Sequence, residues 1–363
     1  MVEMKVTIVG GGNIGTQFAV HFAEQGHEVR IYTSKPKKFS KNLEIVDQND
    51  VVIHKGKIQL VTNSEKIAFQ DADMILVTVP SFVMDDAAKK IIPYVKEGTM
   101  IGIIPGNGGG EIAFKDAIKK KAIIFGMQRV PSVARLVEYG KKVRATGYRN
   151  KLYVSAIPNK FTGKCRKIIE EVFKINCEAL PEYLNLTLTP SNPILHTTRL
   201  YTLFSRYSSG KVYKELPLFY EEWDRETTKL IFKCDSEVQG LCEKLRDFDL
   251  KEVKSLREHY ENNTVEGFTN KIRSIEGFKG LKTPAVKLDS GYIPDLNSRY
   301  FKADFDYGLN IILQIAHIYN FDMKYCSKIM NWYTKIENKN NKKFSYKRYG
   351  ITNKDEFIIF YKK

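Results

Sequence analysis

The chain has 363 residues, 43% hydrophobic and 28% charged, with a formal net charge of +16. That length allows two domains with sizeable cores, because single cores stop growing near ~250–300 residues. The lysines are interleaved with acids, as in "KCDSEVQGLCEKLRDFDLKEVK", and no nucleic-acid-binding motif accompanies them, so the charge points to a field that draws anionic small molecules and argues against a nucleic-acid partner.

The opening "MVEMKVTIVG" lacks the basic and apolar regions of a leader, and no apolar run approaches the ~18 residues of a membrane span. A cytoplasmic protein with no membrane partner is expected. Five cysteines, Cys165, Cys177, Cys234, Cys242 and Cys326, show no CxxC or other metal spacing, so reduced thiols and no metal are expected.

Met4 to Val9 reads as a buried strand rich in β-branched residues. A glycine cluster follows, then "NIGTQFAVHFAEQG" places Ile14, Phe18 and Phe22 four apart with Gly26 as a stop, which predicts a helix. "HEVRIYT" is a second strand. The turn of this βαβ unit reads Gly10-Gly11-Gly12-Asn13-Ile14-Gly15, a G-x-G-x-x-G in the strand–turn–helix context that a dinucleotide needs. Gly10 permits the tight turn, Gly12 lets the backbone approach a pyrophosphate, and Gly15 lets the helix pack on the strand. Asn13 and Ile14 lie at the helix start that would hold the phosphates. A Rossmann-type, doubly wound domain is expected.

Sites that prefer NAD usually carry an acid at the end of the second strand, about 20 residues past the glycines. Here that place reads "YTSKPKK": Thr33 and Ser34 offer hydroxyls and Lys35 a charge, which suits a 2′-phosphate. NADP(H) is therefore the expected cofactor, with NAD(H) as the other possibility. "ADMILVTVPS" and "GTMIGIIPGNGGGEIAF" are further strands whose carboxyl ends carry Pro80 and Asn107, where doubly wound sheets bind ligands. "KAIIFGMQRVPSVARL", "KKVRATGYR" and "KLYVSAIP" supply more strands and "FTGKCRKIIEEVFK" a helix. This alternation stops near Pro181, which bounds a first domain at residues 1–182.

Residues 183–337 read as helical, in segments that include "NPILHTTRLYTLFSRY", "LPLFYEEWDRETTKLIFKCDSEVQGLCEKLRDF", "TVEGFTNKIRS" and "DYGLNIILQIAHIYN". Asn192 reads as an N-cap with Pro193 first in the helix, which sets His196 one turn inside. His317 falls on the apolar face of its segment. Residues 338–363 form a basic tail whose "EFIIFYKK" reads as a short closing strand or a loose surface segment.

The glycine loop, then "PGNGGG", "QRVPSVARL", "SNPILH" and "SRYFKADFDYGL" in a helical second domain, occur in an order that resembles the octopine/nopaline (opine) dehydrogenase family over nearly the whole chain. The resemblance implies an α/β Rossmann-type domain followed by an all-helical one, as in 6-phosphogluconate and glycerol-3-phosphate dehydrogenases. It also implies NAD(P)H-dependent condensation of an amino acid with a 2-oxo acid such as pyruvate, and a catalytic pair; a homodimer is expected only from the general frequency of such assemblies. His196 matches the histidine of that pair. The family's R-Y-x-T-E-D-V-P segment aligns Asp304 as its partner, with Asp306 in reserve because Lys302-Ala303 replace Thr-Glu and Asp306 replaces the proline. A carboxylate on one imidazole nitrogen would offset the helix terminus, where a cation is disfavoured by roughly 0.3–1 kcal/mol.

Arg299 is a candidate for the oxo-acid carboxylate, against a plain surface salt bridge. Asn107 is a candidate contact for nicotinamide or oxo acid, and Gln128, which opens "QRVPSVARL", a candidate substrate contact. The alternatives are a single-substrate reductase of the ketopantoate or glycerol-phosphate type, and a dinucleotide-binding protein without turnover.

Overall fold

The computed structural model describes residues 2–189, 191–337 and 343–363. The chain forms two compact units, Met1–Thr187 with Phe357–Lys363, and Leu188–Glu356. Among the described residues no helix is long and apolar enough to cross a membrane, and all five cysteines are unpaired thiols.

Twelve strands of the first unit build two sheets: β1 (Lys5–Val9), β2 (Glu28–Tyr32), β3 (Asn42–Val46), β4 (Val52–Lys57), β5 (Leu60–Thr62), β6 (Met74–Val77), β7 (Met100–Ile103), β8 (Ile123–Met127), β9 (Val133–Glu138), β10 (Lys142–Thr146), β11 (Lys151–Ile157) and β12 (Asn176–Ala179). The larger sheet runs β12-β11-β8-β7-β6-β1-β2-β5 and is parallel except where β11 meets β8. Buried on both faces, β6 to β8 read as continuous apolar runs rather than alternating ones. Strand order reverses at β1, which pairs β2 on one side and β6 on the other, the crevice where such sheets take ligands. Phe18 and Phe22 of the Asn13–Glu24 helix pack into this core, and Phe18 meets Phe173 edge-on at 4.8 Å.

A second sheet, β4-β3-β10-β9, was only half legible. β3 and β4 are short, carry polar residues at alternate places, and expose one face, so they give little apolar signal.

The second unit is helical, as expected, and among the described residues one hairpin is added to its helices. β13 (Ala285–Leu288) and β14 (Gly291–Pro294) pair antiparallel around Asp289-Ser290, and Val286 and Leu288 stay exposed. Helices span Asn192–Phe204, Arg225–Lys244, Val265–Ser274, Asn310–Ile318 and Lys324–Ile336. Residues 216–224, expected within a helix, form a loop instead, and Asp224 caps the helix after it by accepting a bond from the Thr227 amide at 2.7 Å. His317 is exposed; its helix buries Ile311, Ile312 and Ile315 on the other side.

The expected tail differs most. Residues 338–342 of it lie outside the described residues, and "EFIIFYKK" is neither strand nor loose: Lys354–Tyr361 is a helix whose residues from Phe357 on belong to the first unit. Phe357, Phe360 and Tyr361 are buried, which is why the segment looks apolar, and Tyr361 donates a hydrogen bond to Glu111 at 2.7 Å.

Candidate active site

The glycine loop follows β1 directly. Gly10 has φ +105°, in the region that favours glycine, and its amide bonds to the Tyr32 carbonyl at 3.0 Å. A Cβ on Gly15 would sit 1.9 Å from the Gly10 oxygen, so only glycine lets the helix lie on the strand. Around Gly12, the N-cap of that helix, a Cβ would meet nothing within 4 Å. The loop therefore leaves open space beside a helix N-terminus, the setting that suits a pyrophosphate. Gly11 has a different partner: a Cβ there would fall 2.3 Å from the Phe39 ring, a contact that no spacing in the motif signals.

Asn13 and Ile14 open the helix, half-buried. The Asn13 carbonyl oxygen already accepts a bond from the Leu136 amide at 2.8 Å, so Asn13 ties the helix to β9 and has only its amide group left for a ligand. Thr33 is buried, its hydroxyl lying 3.4 Å from both the Tyr139 hydroxyl and the Lys35 amide. Ser34 and Lys35 are exposed, and among the described residues Lys35 has no ion-pair partner. Pro80 caps the Ser81–Val83 turn after β6, while neighbouring Thr78 bonds the Val9 carbonyl at 2.9 Å. Asn107 and Gln128 follow the adjacent strands β7 and β8, which the Gly106 amide links to the Met127 carbonyl at 2.7 Å.

In the second unit the Asn192–Phe204 helix starts one residue earlier than expected. Ser191 is its N-cap, already in helical conformation and without a side-chain bond, so Asn192 is the first helical residue and Pro193 the second. His196 is only 7% exposed. Its Nδ1 lies 2.7 Å from Asp304 Oδ2 across 108 residues of chain. Its Nε2 lies 2.6 Å from the Tyr220 hydroxyl. Asp304 bonded at Nδ1 fixes the tautomer that presents a lone pair at Nε2 when the ring is neutral and a proton there when it is charged.

Asp304 precedes a π-helical segment, Phe305–Leu309, in which the Leu309 amide donates to the Asp304 carbonyl at 2.8 Å, five residues back. Such wide turns recur at functional sites. Tyr300, four residues before Asp304, shares its face and lays its ring 4.6 Å from the His196 ring. Asp306, two residues on and about 200° around the helix, points elsewhere. It is buried, accepts a bond from the Tyr333 hydroxyl at 3.2 Å, and burial beside Glu337 pushes its carboxyl up to about 7. Asp304 is the partner of His196, and the reserve candidate is not needed.

Arg299 stands exposed at the start of the Arg299–Lys302 turn and has no ion pair among the described residues, so the salt-bridge reading has no support; nor does the turn bring it onto the Asp304 face. Tyr220 and Tyr300 went unnoticed. Tyr300 had a signal in its four-residue spacing from Asp304. Tyr220 had none, because its loop reads as helix. That loop is held by Arg199, 1% exposed, which donates to the Phe219 carbonyl at 3.1 Å and the Glu222 carbonyl at 2.7 Å and pairs with Asp224. Tyr220 stacks on Phe278 at 4.0 Å, and burial, with Tyr300 beside it, pushes its hydroxyl well above the usual range, so it stays neutral.

Residues 179–337 match the family model described as "NAD/NADP octopine/nopaline dehydrogenase, alpha-helical domain", and residues 6–158 match "Ketopantoate reductase PanE/ApbA". The chain is 26% identical to an octopine dehydrogenase of Pecten maximus over 91% of this chain and 90% of that one. It is 25% identical to a tauropine dehydrogenase of Arabella iricolor over 92% and 91%. A solved octopine dehydrogenase, seen with NADH and L-arginine, superposes with a TM-score of 0.84 at 22% identity over 98% of both chains, a likeness of fold. Seen with NADH and pyruvate, it gives 0.82. Residues 179–337 thus belong to the family of NAD/NADP octopine/nopaline dehydrogenase helical domains, and the chain as a whole is similar to octopine and tauropine dehydrogenases.

Proposed function

We propose that this protein is an NAD(P)H-dependent opine dehydrogenase, joining the amine of an amino acid to a 2-oxo acid, pyruvate being the first to test, and reducing the product. The observation that carries the reading is the 2.7 Å contact between His196 and Asp304, within segments that match the family's motifs. The relatives named for octopine and tauropine, and a fold neighbour seen with pyruvate, support it.

A nicotinamide dinucleotide held by the Gly10–Gly15 loop supplies the hydride. The remaining chemistry is proton traffic. Condensation of amine and ketone gives a carbinolamine, and its hydroxyl leaves as water once protonated. His196 donates that proton from Nε2 in the reducing direction and recovers it in reverse, with Asp304 holding the ring and balancing its charge. A proton leaving Nε2 meets the Tyr220 oxygen first, so Tyr220 either passes it on or turns aside.

Arg299, exposed and with no ion pair among the described residues, suits the carboxylate of the oxo acid, and Asn107 and Gln128 are further contacts for nicotinamide and substrate. Pro80, Ile14 and the amide group of Asn13 border the dinucleotide. For the choice between cofactors, Ser34 and Lys35, exposed and without an acid in their place, favour NADPH.

The test is a screen of NADPH and NADH oxidation with pyruvate alone and then with each amino acid, followed by mass spectrometry of the product. The reading predicts turnover that requires both substrates, a product heavier than the amino acid by the oxo acid plus two hydrogens less one water, and a preference for NADPH. Equal turnover without any amine would instead support the single-substrate reductase suggested by the match over residues 6–158.

A further inference from the structure

Among the described residues, one cluster of side chains outside the acid–base site carries ligand chemistry. His21 and Glu24 lie three residues apart on the Asn13–Glu24 helix and so share a face. Strand β4 crosses that face. A Cβ on Gly56 would come within 2.9 Å of Val20 Cα and of the Val20 oxygen, so glycine at this place lets the strand lie flush on the helix and bring His54 over it. His54 Nδ1 is then 2.7 Å from Glu24 Oε2, and the two imidazole rings are 4.5 Å apart. One ligand atom from each of the three residues lies within 4.8 Å of the others.

We propose that His21, Glu24 and His54 bind one divalent transition-metal ion of the zinc type. Two imidazoles and a carboxylate are the donors such ions choose, whereas magnesium and calcium call for oxygen alone. Zinc bonds of about 2.0–2.2 Å place the ligand atoms of a tetrahedral site roughly 3.3 Å apart. His54 and Glu24, each with a side chain 32% exposed, can turn inward to reach that spacing. His21 is the fixed member: it is 2% exposed, and its Nε2 lies 3.1 Å from the Tyr148 hydroxyl. Burial holds its pKa down to about 3, which leaves the ring neutral and its lone pair available across the physiological range. With three protein ligands, water fills the fourth position. Sequence spacing could not show this, because the second histidine arrives from strand β4 while the first lies on the helix.

The test uses tag-free protein stripped with a chelator and titrated with zinc chloride by calorimetry, and with cobalt chloride by visible absorption. The expected result is one ion per chain and the absorption bands of tetrahedral cobalt. His54→Ala, at a partly exposed strand position, should keep the circular dichroism spectrum but weaken zinc binding at least ~100-fold and abolish the bands. Glu24→Gln should weaken binding by about 10- to 100-fold. Absence of stoichiometric binding, or equal binding by wild type and His54→Ala, would overturn the proposal.

Discussion

Tyr220 shows how a single side chain can govern an acid–base residue. Its hydroxyl occupies the His196 nitrogen opposite Asp304, at 2.6 Å, in a pocket walled by Phe219, Phe278 and Tyr300. Burial keeps that hydroxyl neutral, so it can donate to the neutral imidazole or accept from the charged one. Tyr220→Phe removes the bond and leaves the ring stacking intact. The expected outcome, in the reducing direction, is a kcat reduced about 10- to 100-fold, a shifted alkaline limb in the pH–rate profile, and a dinucleotide KM close to wild type. An unchanged pH profile would mean that Tyr220 only fills space.

Two glycines three positions apart in the dinucleotide loop do separate jobs at the scale of the first helix. Gly12 has φ −87°, which alanine tolerates, and faces open space; Gly15 is pressed against the Gly10 carbonyl. Gly12→Ala should leave stability within about 0.5 kcal/mol of wild type and weaken dinucleotide binding at least tenfold, as read by thermal melts and fluorescence titration. Gly15→Ala should lower the melting temperature as well, because backbone has to move. Equal effects would contradict the division of labour. This loop was legible because its geometry depends on residue type at fixed spacing. The His196 helix and the Asp304 segment were legible for the same reason, although the cap fell on Ser191 rather than Asn192. The strands β3 and β4, the β13–β14 hairpin and the Tyr220 loop were not, since short half-exposed strands and aromatic loops carry no strong period. The Lys354–Tyr361 helix was misread because its apolar run packs through Phe357, Phe360 and Tyr361.

Across the whole molecule, buried ionisable groups set opposing dependences on pH. Glu111 is fully buried, hydrogen-bonded by Tyr361, and burial pushes its carboxyl up to about 7. In the unfolded chain it titrates near ~4.3, so the folded state holds a proton that the unfolded state lacks between those values. Its contribution is present at acidic pH and is lost as pH rises through about 7. Asp306 acts in the same direction. His21, pushed down to about 3, acts oppositely, since its contribution is lost as pH falls below its unfolded value of about 6.5. Glu111→Gln should therefore flatten the decline in stability between pH 5 and pH 8, a differential of roughly 1–3 kcal/mol seen as a smaller change in melting temperature. An identical slope in both proteins would exclude Glu111 as its source. The acid–base pair is tested most directly by steady-state NADPH oxidation with a saturating amino acid and oxo acid, comparing wild type, His196→Gln and Asp304→Asn while dinucleotide affinity is measured alongside. The account predicts that both variants lose about 10²–10⁴-fold in kcat with dinucleotide affinity preserved; full activity in either one would contradict it.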